Sequence, residues 1–111
     1  EGFALEQVLQ ITGDRDAYFW ATHGGAELDL MVNWQGRRYG FEFKYGGAPS
    51  MTKSMHTALH DLKLERLFVI HPGKDSYVMN DQTEAVAFTN LRTRLAEAGV
   101  GGADERFKLE L

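Results

Sequence analysis

The stretch Ala26–Tyr45, AELDLMVNWQGRRYGFEFKY, alternates apolar and polar side chains and breaks step at Gln35-Gly36. Successive side chains of a strand point to opposite faces, so a period of two predicts two strands of a hairpin. With Gln35-Gly36 as a two-residue turn, loop length fixes the register. Asp29 then lies across from Glu42, and Glu27 across from Lys44. One face collects Leu28, Leu30, Val32, Trp34, Tyr39, Phe41 and Phe43, a set suited to a core. The other face carries Glu27, Asp29, Met31, Asn33, Arg38, Gly40, Glu42 and Lys44.

On the N-terminal side of the hairpin, Ala4, Leu5, Val8 and Leu9 form one stripe of a helix over residues 1–10. A breaker cluster, Thr12 to Asp16, leads to the aromatic run Tyr18-Phe19-Trp20, which favours a strand. On the C-terminal side, the loop of Gly46, Gly47, Pro49 and Ser50 precedes a helix over about residues 52–63, with Met55, Ala58, Leu59 and Leu62 as its stripe. The compact run Leu67-Phe68-Val69-Ile70, ended by Pro72-Gly73, fits a buried strand. Short strands are expected at Tyr77–Met79 and Ala85–Phe88, and a last helix from Asn90 to Ala98 with Gly99 as its left-handed cap. The tail alternates through Phe107, Leu109 and Leu111, the pattern of a late edge strand or a frayed end. The order of elements predicts an α/β domain with a mixed central sheet flanked by helices.

A chain of 111 residues supports one hydrophobic core, so residues 1–111 are expected to form a single domain. Apolar residues make up 43% and charged residues 25%, the range of ordinary globular proteins. No apolar run approaches the roughly 20 residues that span a bilayer, and no signal-peptide pattern opens the chain. The absence of cysteine removes disulfide frameworks and thiolate zinc sites and points to an intracellular, cytoplasmic setting. A start at Glu1 that runs directly into a helical pattern is expected of a fragment of a longer polypeptide. The net charge of -4 disfavours a free-standing, tight nucleic-acid binder, because phosphate neutralisation by Lys and Arg supplies most non-specific affinity. Arg37, Arg38, Lys44, Lys53 and Lys63 leave room for a small positive strip.

Asp29 and Glu42 across a hairpin are like charges in a destabilising position, and a divalent cation is the strongest compensator. Mg²⁺ takes carboxylate oxygens and water, so one Asp and one Glu make a partial shell. Lys44, one pleat beyond Glu42, is suited to orienting a nucleophilic water or stabilising charge on a phosphate ester. The competing reading is a solvated strand face in which Glu27 pairs with Lys44 and Asp29 faces water.

The segments GAELDLMV, residues 25–32, and FEFK, residues 41–44, resemble the core signature of the PD-(D/E)XK nuclease superfamily, an Asp on one strand and Glu-x-Lys on the next. Leu28 stands where that signature usually has Pro. More narrowly, residues 18–72 resemble a domain of unknown function found C-terminal to AAA+-type ATPase modules in bacteria and archaea. The resemblance implies a restriction-endonuclease-like αβββαβ core in the C-terminal part of an ATPase-containing protein. It also implies Asp29, Glu42 and a first-helix acid, Glu1, as ligands of Mg²⁺ or Mn²⁺, with Lys44 as the catalytic lysine. Glu1 falls inside the apolar stripe of its helix, an awkward place for an unpartnered carboxylate.

Other candidates reduce to plainer roles. His56 and His60 are spaced like a helical chelate, but lie off the apolar stripe and read as surface histidines. Lys53 is a candidate phosphate contact or an exposed helix lysine. His23-Gly24-Gly25 enters a strand and lacks the Gly-Lys-Ser/Thr of a phosphate loop, so it reads as a turn. Trp20 and Trp34 read as core or edge aromatics. Two functions are therefore expected: a Mg²⁺-dependent nuclease-like domain acting on nucleic acid, or a non-catalytic module that recognises a partner or regulates an upstream ATPase in the same chain.

Overall fold

The computed structural model describes residues 2–13 and 16–101. Glu1, Asp14, Arg15 and the tail from Gly102 onward, with its expected late strand, lie outside the described residues. In chain order the elements are helix α1 (Gly2–Thr12), strands β1 (Ala17–Ala21), β2 (Glu27–Trp34) and β3 (Arg37–Phe43), helix α2 (Lys53–Leu62), strands β4 (Arg66–His71), β5 (Tyr77–Val78) and β6 (Thr83–Ala87), and helix α3 (Leu91–Glu97), entered through a 3₁₀ turn at Phe88–Asn90.

The hairpin forms in the expected register, with Leu30 opposite Phe41 and Trp34 opposite Arg37. Its turn has positive φ at both Gln35 (52°) and Gly36 (80°), the backbone that matches the right-handed twist of the flanking strands. Helix α2 is bounded as its sequence suggests. The Thr52 hydroxyl accepts from the Met55 N–H at 3.2 Å, and Lys63 closes the helix at φ 52°, its N–H donating to the Leu59 carbonyl. Gly99, at φ 78°, ends the last helical turn.

The six strands form one mixed sheet in the order β1-β2-β3-β4-β6-β5. Strands β3, β4 and β6 run parallel, with β2 antiparallel to β3 and β5 antiparallel to β6. Helix α2 is the crossover between the parallel strands β3 and β4, as the connection of such a pair requires. Each face of the sheet carries a core. Leu30, Val32, Tyr39, Phe41, Phe68, Ile70 and Val86 pack with Val8 of α1 and Leu91 and Leu95 of α3. Leu28, Met31, Leu67 and Val69 pack with Met55, Ala58, Leu59 and Leu62 of α2. All four of Leu67, Phe68, Val69 and Ile70 are buried, because a central parallel strand is covered on both sides.

The sorting of the hairpin side chains departs from strict alternation. Leu28, expected with Leu30 and Val32, instead joins Met31 under α2. The cause is a bulge: β1 pairs Tyr18 with Met31 but Trp20 with Leu28, so Asp29 and Leu30 together oppose Phe19. The extra residue reverses the facing of everything before it on β2. The polar face is accordingly a second core in its middle. A Cβ on Gly40 would lie 2.7 Å from Leu64 Cδ1, 3.0 Å from Leu67 Cδ1 and 3.1 Å from Leu28 Cδ2, and only glycine lets these three buried leucines meet over β3.

Candidate functional site

The bulge sits beside a fork. The β2–β3 ladder ends at Leu30 and Phe41, while β3 stays with β4 through Glu42, Phe43 and the bond from Lys44 N–H to the Ile70 carbonyl (2.8 Å). At the opening, side chains replace backbone partners. The Asp29 N–H donates to Glu42 Oε1 at 3.1 Å, and the Phe43 N–H donates to Asp29 Oδ2 at 2.9 Å. Each acid thus caps an N–H of the opposite strand, and among the described residues the second oxygen of each carboxylate has no hydrogen-bond partner.

Asp29 is exposed and Glu42 half-buried. Burial, then the negative charges of Asp29 and Glu27, push the Glu42 carboxyl up from 4.5 to about 7, against the opposing effect of the hydrogen bond from the Asp29 backbone. No basic side chain offsets these effects. Lys44 follows β3 two residues after Glu42, is exposed, and makes no ion pair among the described residues. The structure therefore brings Asp29 and Glu42 together through the Asp29 N–H, with Glu27 close enough to act on Glu42, and leaves Lys44 at the same strand end without an ion pair to either acid. The pairing of Glu27 with Lys44 is absent.

Among the described residues, no group of three or more Asp, Glu, His or Cys side chains is arranged to hold a metal ion. The donor set in hand is two carboxylates with uncompensated charge. Such a pair fits the partial shell of Mg²⁺, which keeps several waters and uses one or two protein carboxylates. Lys53 is exposed at the start of α2 and His56 and His60 are exposed on its outer side, with His60 Nδ1 2.9 Å from Asp61. Trp20 and Trp34 each pack at the margin of a core, and His23–Gly25 is a turn.

Beside the fork lies a cleft of about 230 Å³ at the carboxyl ends of the three parallel strands. Lys44 and Tyr45 follow β3, His71 ends β4, Phe88 follows β6, and Phe3 of α1 closes one side. Open α/β sheets bind their ligands at this end of the strands. His71 is buried. The Gly73 N–H donates to its Nδ1 at 3.1 Å, which leaves the proton on Nε2 to bond the Asp75 carbonyl at 2.8 Å.

Two features escaped the reading of the sequence. Glu84, on β6, is buried with both oxygens in ion pairs, to Arg66 of β4 (2.7 Å) and to Arg94 of α3. Its hydrogen bonds hold the Arg94 guanidinium above its usual range. The only hint was a lone Glu inside the small, apolar strand Thr83–Ala87. The cleft itself joins residues from four distant segments, and no local pattern announces it.

Fold and site define a three-layer α/β domain with a clasped pair of acids at the carboxyl end of its parallel strands. The chain belongs to the family described as domain of unknown function DUF4143, whose profile matches residues 1–91. It is 39% identical over 109 residues to an uncharacterized protein of Mycobacterium bovis and, to the same degree, to one of Mycobacterium tuberculosis. The match takes in 98% of this chain and 23% of each relative, so the chain spans about a quarter of the length of the curated proteins it resembles. No solved structure matches.

Proposed function

We propose that this domain is a metal-dependent phosphodiester hydrolase of the PD-(D/E)XK type, with a restriction-endonuclease-like core, carried by a longer AAA+-type ATPase. The observation that carries the reading is the clasp at the fork: two carboxylates from adjacent strands, each held by a backbone N–H of the opposite strand and neither ion-paired with a basic side chain among the described residues. Asp29 and Glu42 would hold Mg²⁺ or Mn²⁺, with Glu1 as the further acid that the superfamily resemblance supplies. Such a cation, when bound, supplies Lewis-acid polarisation of a phosphate ester and activation of water. The chain's own residues do the rest. The Phe43 and Asp29 N–H groups hold the two carboxylates in place, and the Lys44 ammonium, free of ion pairs among the described residues, is available to a phosphate oxygen or an attacking water.

A second reading, a non-catalytic recognition or regulatory module of the ATPase, draws support from Lys44 standing apart from the acids. Thermal denaturation with millimolar Mg²⁺ or Mn²⁺, paired with cleavage of single- and double-stranded nucleic acid, separates the two. The catalytic reading expects a rise in Tm with either cation, loss of that rise and of cleavage in Asp29→Ala, and loss of cleavage alone in Lys44→Ala. Cation binding without cleavage, or cleavage that survives Lys44→Ala, favours the module. No cation binding at millimolar concentration rules out the hydrolase.

A further inference from the structure

We propose that the cleft at the carboxyl ends of β3, β4 and β6 is a stacking pocket for one unpaired nucleobase, so that the domain takes single-stranded nucleic acid by an end. The proposal deepens the phosphodiesterase reading and rests on it for the nucleic-acid nature of the ligand. Size comes first. At about 230 Å³ the cleft is smaller than the roughly 300–1,000 Å³ of sites that enclose a whole organic ligand, and suits a single planar group.

The walls supply faces and few polar edges. Phe3 and Phe88 lie with ring centroids 5.3 Å apart and planes inclined at 53°, and Tyr45 and Pro72 line the same cleft. Phe3 is 62% exposed, a large aromatic left in water at the mouth, where covering it by a ring gains stacking and apolar burial. His71 has both ring nitrogens committed to its own loop, so it offers a base no edge to read. Recognition is therefore by π-face, which every base has.

Charge selects a nucleotide over an apolar peptide. Lys44 lines the cleft, makes no ion pair among the described residues, and belongs to the strand end that also carries Glu42. A phosphate flanking a stacked base meets that cation, which lies two residues beyond Glu42 along the chain. A net charge of -4 leaves little for tracking a long backbone, which is consistent with one stacked base and one phosphate contact as the main source of affinity.

The test uses a short single-stranded DNA carrying 2-aminopurine at its terminus, added to the 111-residue chain in EDTA so that no cation contributes. Binding should quench the fluorophore, and its dependence on salt should be shallow, near the slope of one neutralised phosphate. Phe3→Ala, at an exposed position that should not perturb folding, should weaken binding by about 5- to 100-fold. A terminal abasic site should cost the wild-type chain a similar factor and cost Phe3→Ala little more. Equal affinity for intact and abasic ends, equal affinity for duplex, or no effect of Phe3→Ala overturns the pocket. So does displacement of Phe3-dependent fluorescence by an apolar peptide but not by unlabelled DNA. A Mg²⁺-dependent rise in Tm that persists while base binding fails leaves the carboxylate reading standing. Base binding without any cation effect keeps the pocket and removes the hydrolase.

Discussion

Glu42→Gln isolates the electrostatic strain at the fork. In the folded chain the Glu42 carboxyl titrates near 7, against an ordinary 4.5. A carboxyl raised on folding favours the native state below about pH 4.5 and loses that contribution as the pH climbs through 7, because the native site resists ionisation that the unfolded chain accepts. The separation sets a ceiling of roughly 3 kcal/mol. Glu42 is only half-buried, so solvent screening brings the realistic figure to about 1 kcal/mol. Gln keeps an acceptor for the Asp29 N–H and removes the repulsion from Asp29 and Glu27. In EDTA, the variant should therefore match wild type near pH 5 and exceed it at pH 8 by about 1 kcal/mol, a Tm gain of roughly 4–8 °C. Mg²⁺ should reverse the order at pH 8 by stabilising wild type alone. Urea titrations at half-unit pH intervals, with and without Mg²⁺, read both effects. A wild-type stability that is flat from pH 5 to 8, or a variant that gains nothing at pH 8, would refute the account of the fork as a strained acid pair.

Two further changes probe the frame that holds the site. Gly40→Ala should cost about 1–3 kcal/mol in urea denaturation, since the new methyl meets three buried leucines that hold β3 to the α2 layer. A neutral result would mean that this layer yields more easily than a packed core does. Arg94→Met leaves the buried Glu84 with Arg66 as its remaining partner and should cost about 2 kcal/mol or more, with the loss shrinking when Glu84→Gln is added. If the double variant is no better than the single one, the network is not what ties α3 to the sheet.

What could be read along the chain was what depends on near neighbours. The two-residue turn at Gln35-Gly36 fixed the pairing of Leu30 with Phe41, and the stripe of Met55, Ala58, Leu59 and Leu62 fixed the buried side of α2. Asp29 and Glu42 followed from that register as a facing pair. Glu84 was invisible because its partners are Arg66, 18 residues before it, and Arg94, 10 after, on other elements. Nothing in a strand of small residues says that two guanidinium groups will enclose its one acid.

The sequence by itself determined the elements, their order and the register of the hairpin, because period, turn chemistry and capping act over a few residues. Tertiary structure decided the rest. Packing of α2 against the sheet turned the expected polar face into a second core, and the bulge at Asp29-Leu30 sent Leu28 to that side. Continuation of β3 along β4, and not along β2, opened the fork where the two acids clasp. Such choices depend on which of two neighbours a strand pairs with, and that is settled only when all layers close together.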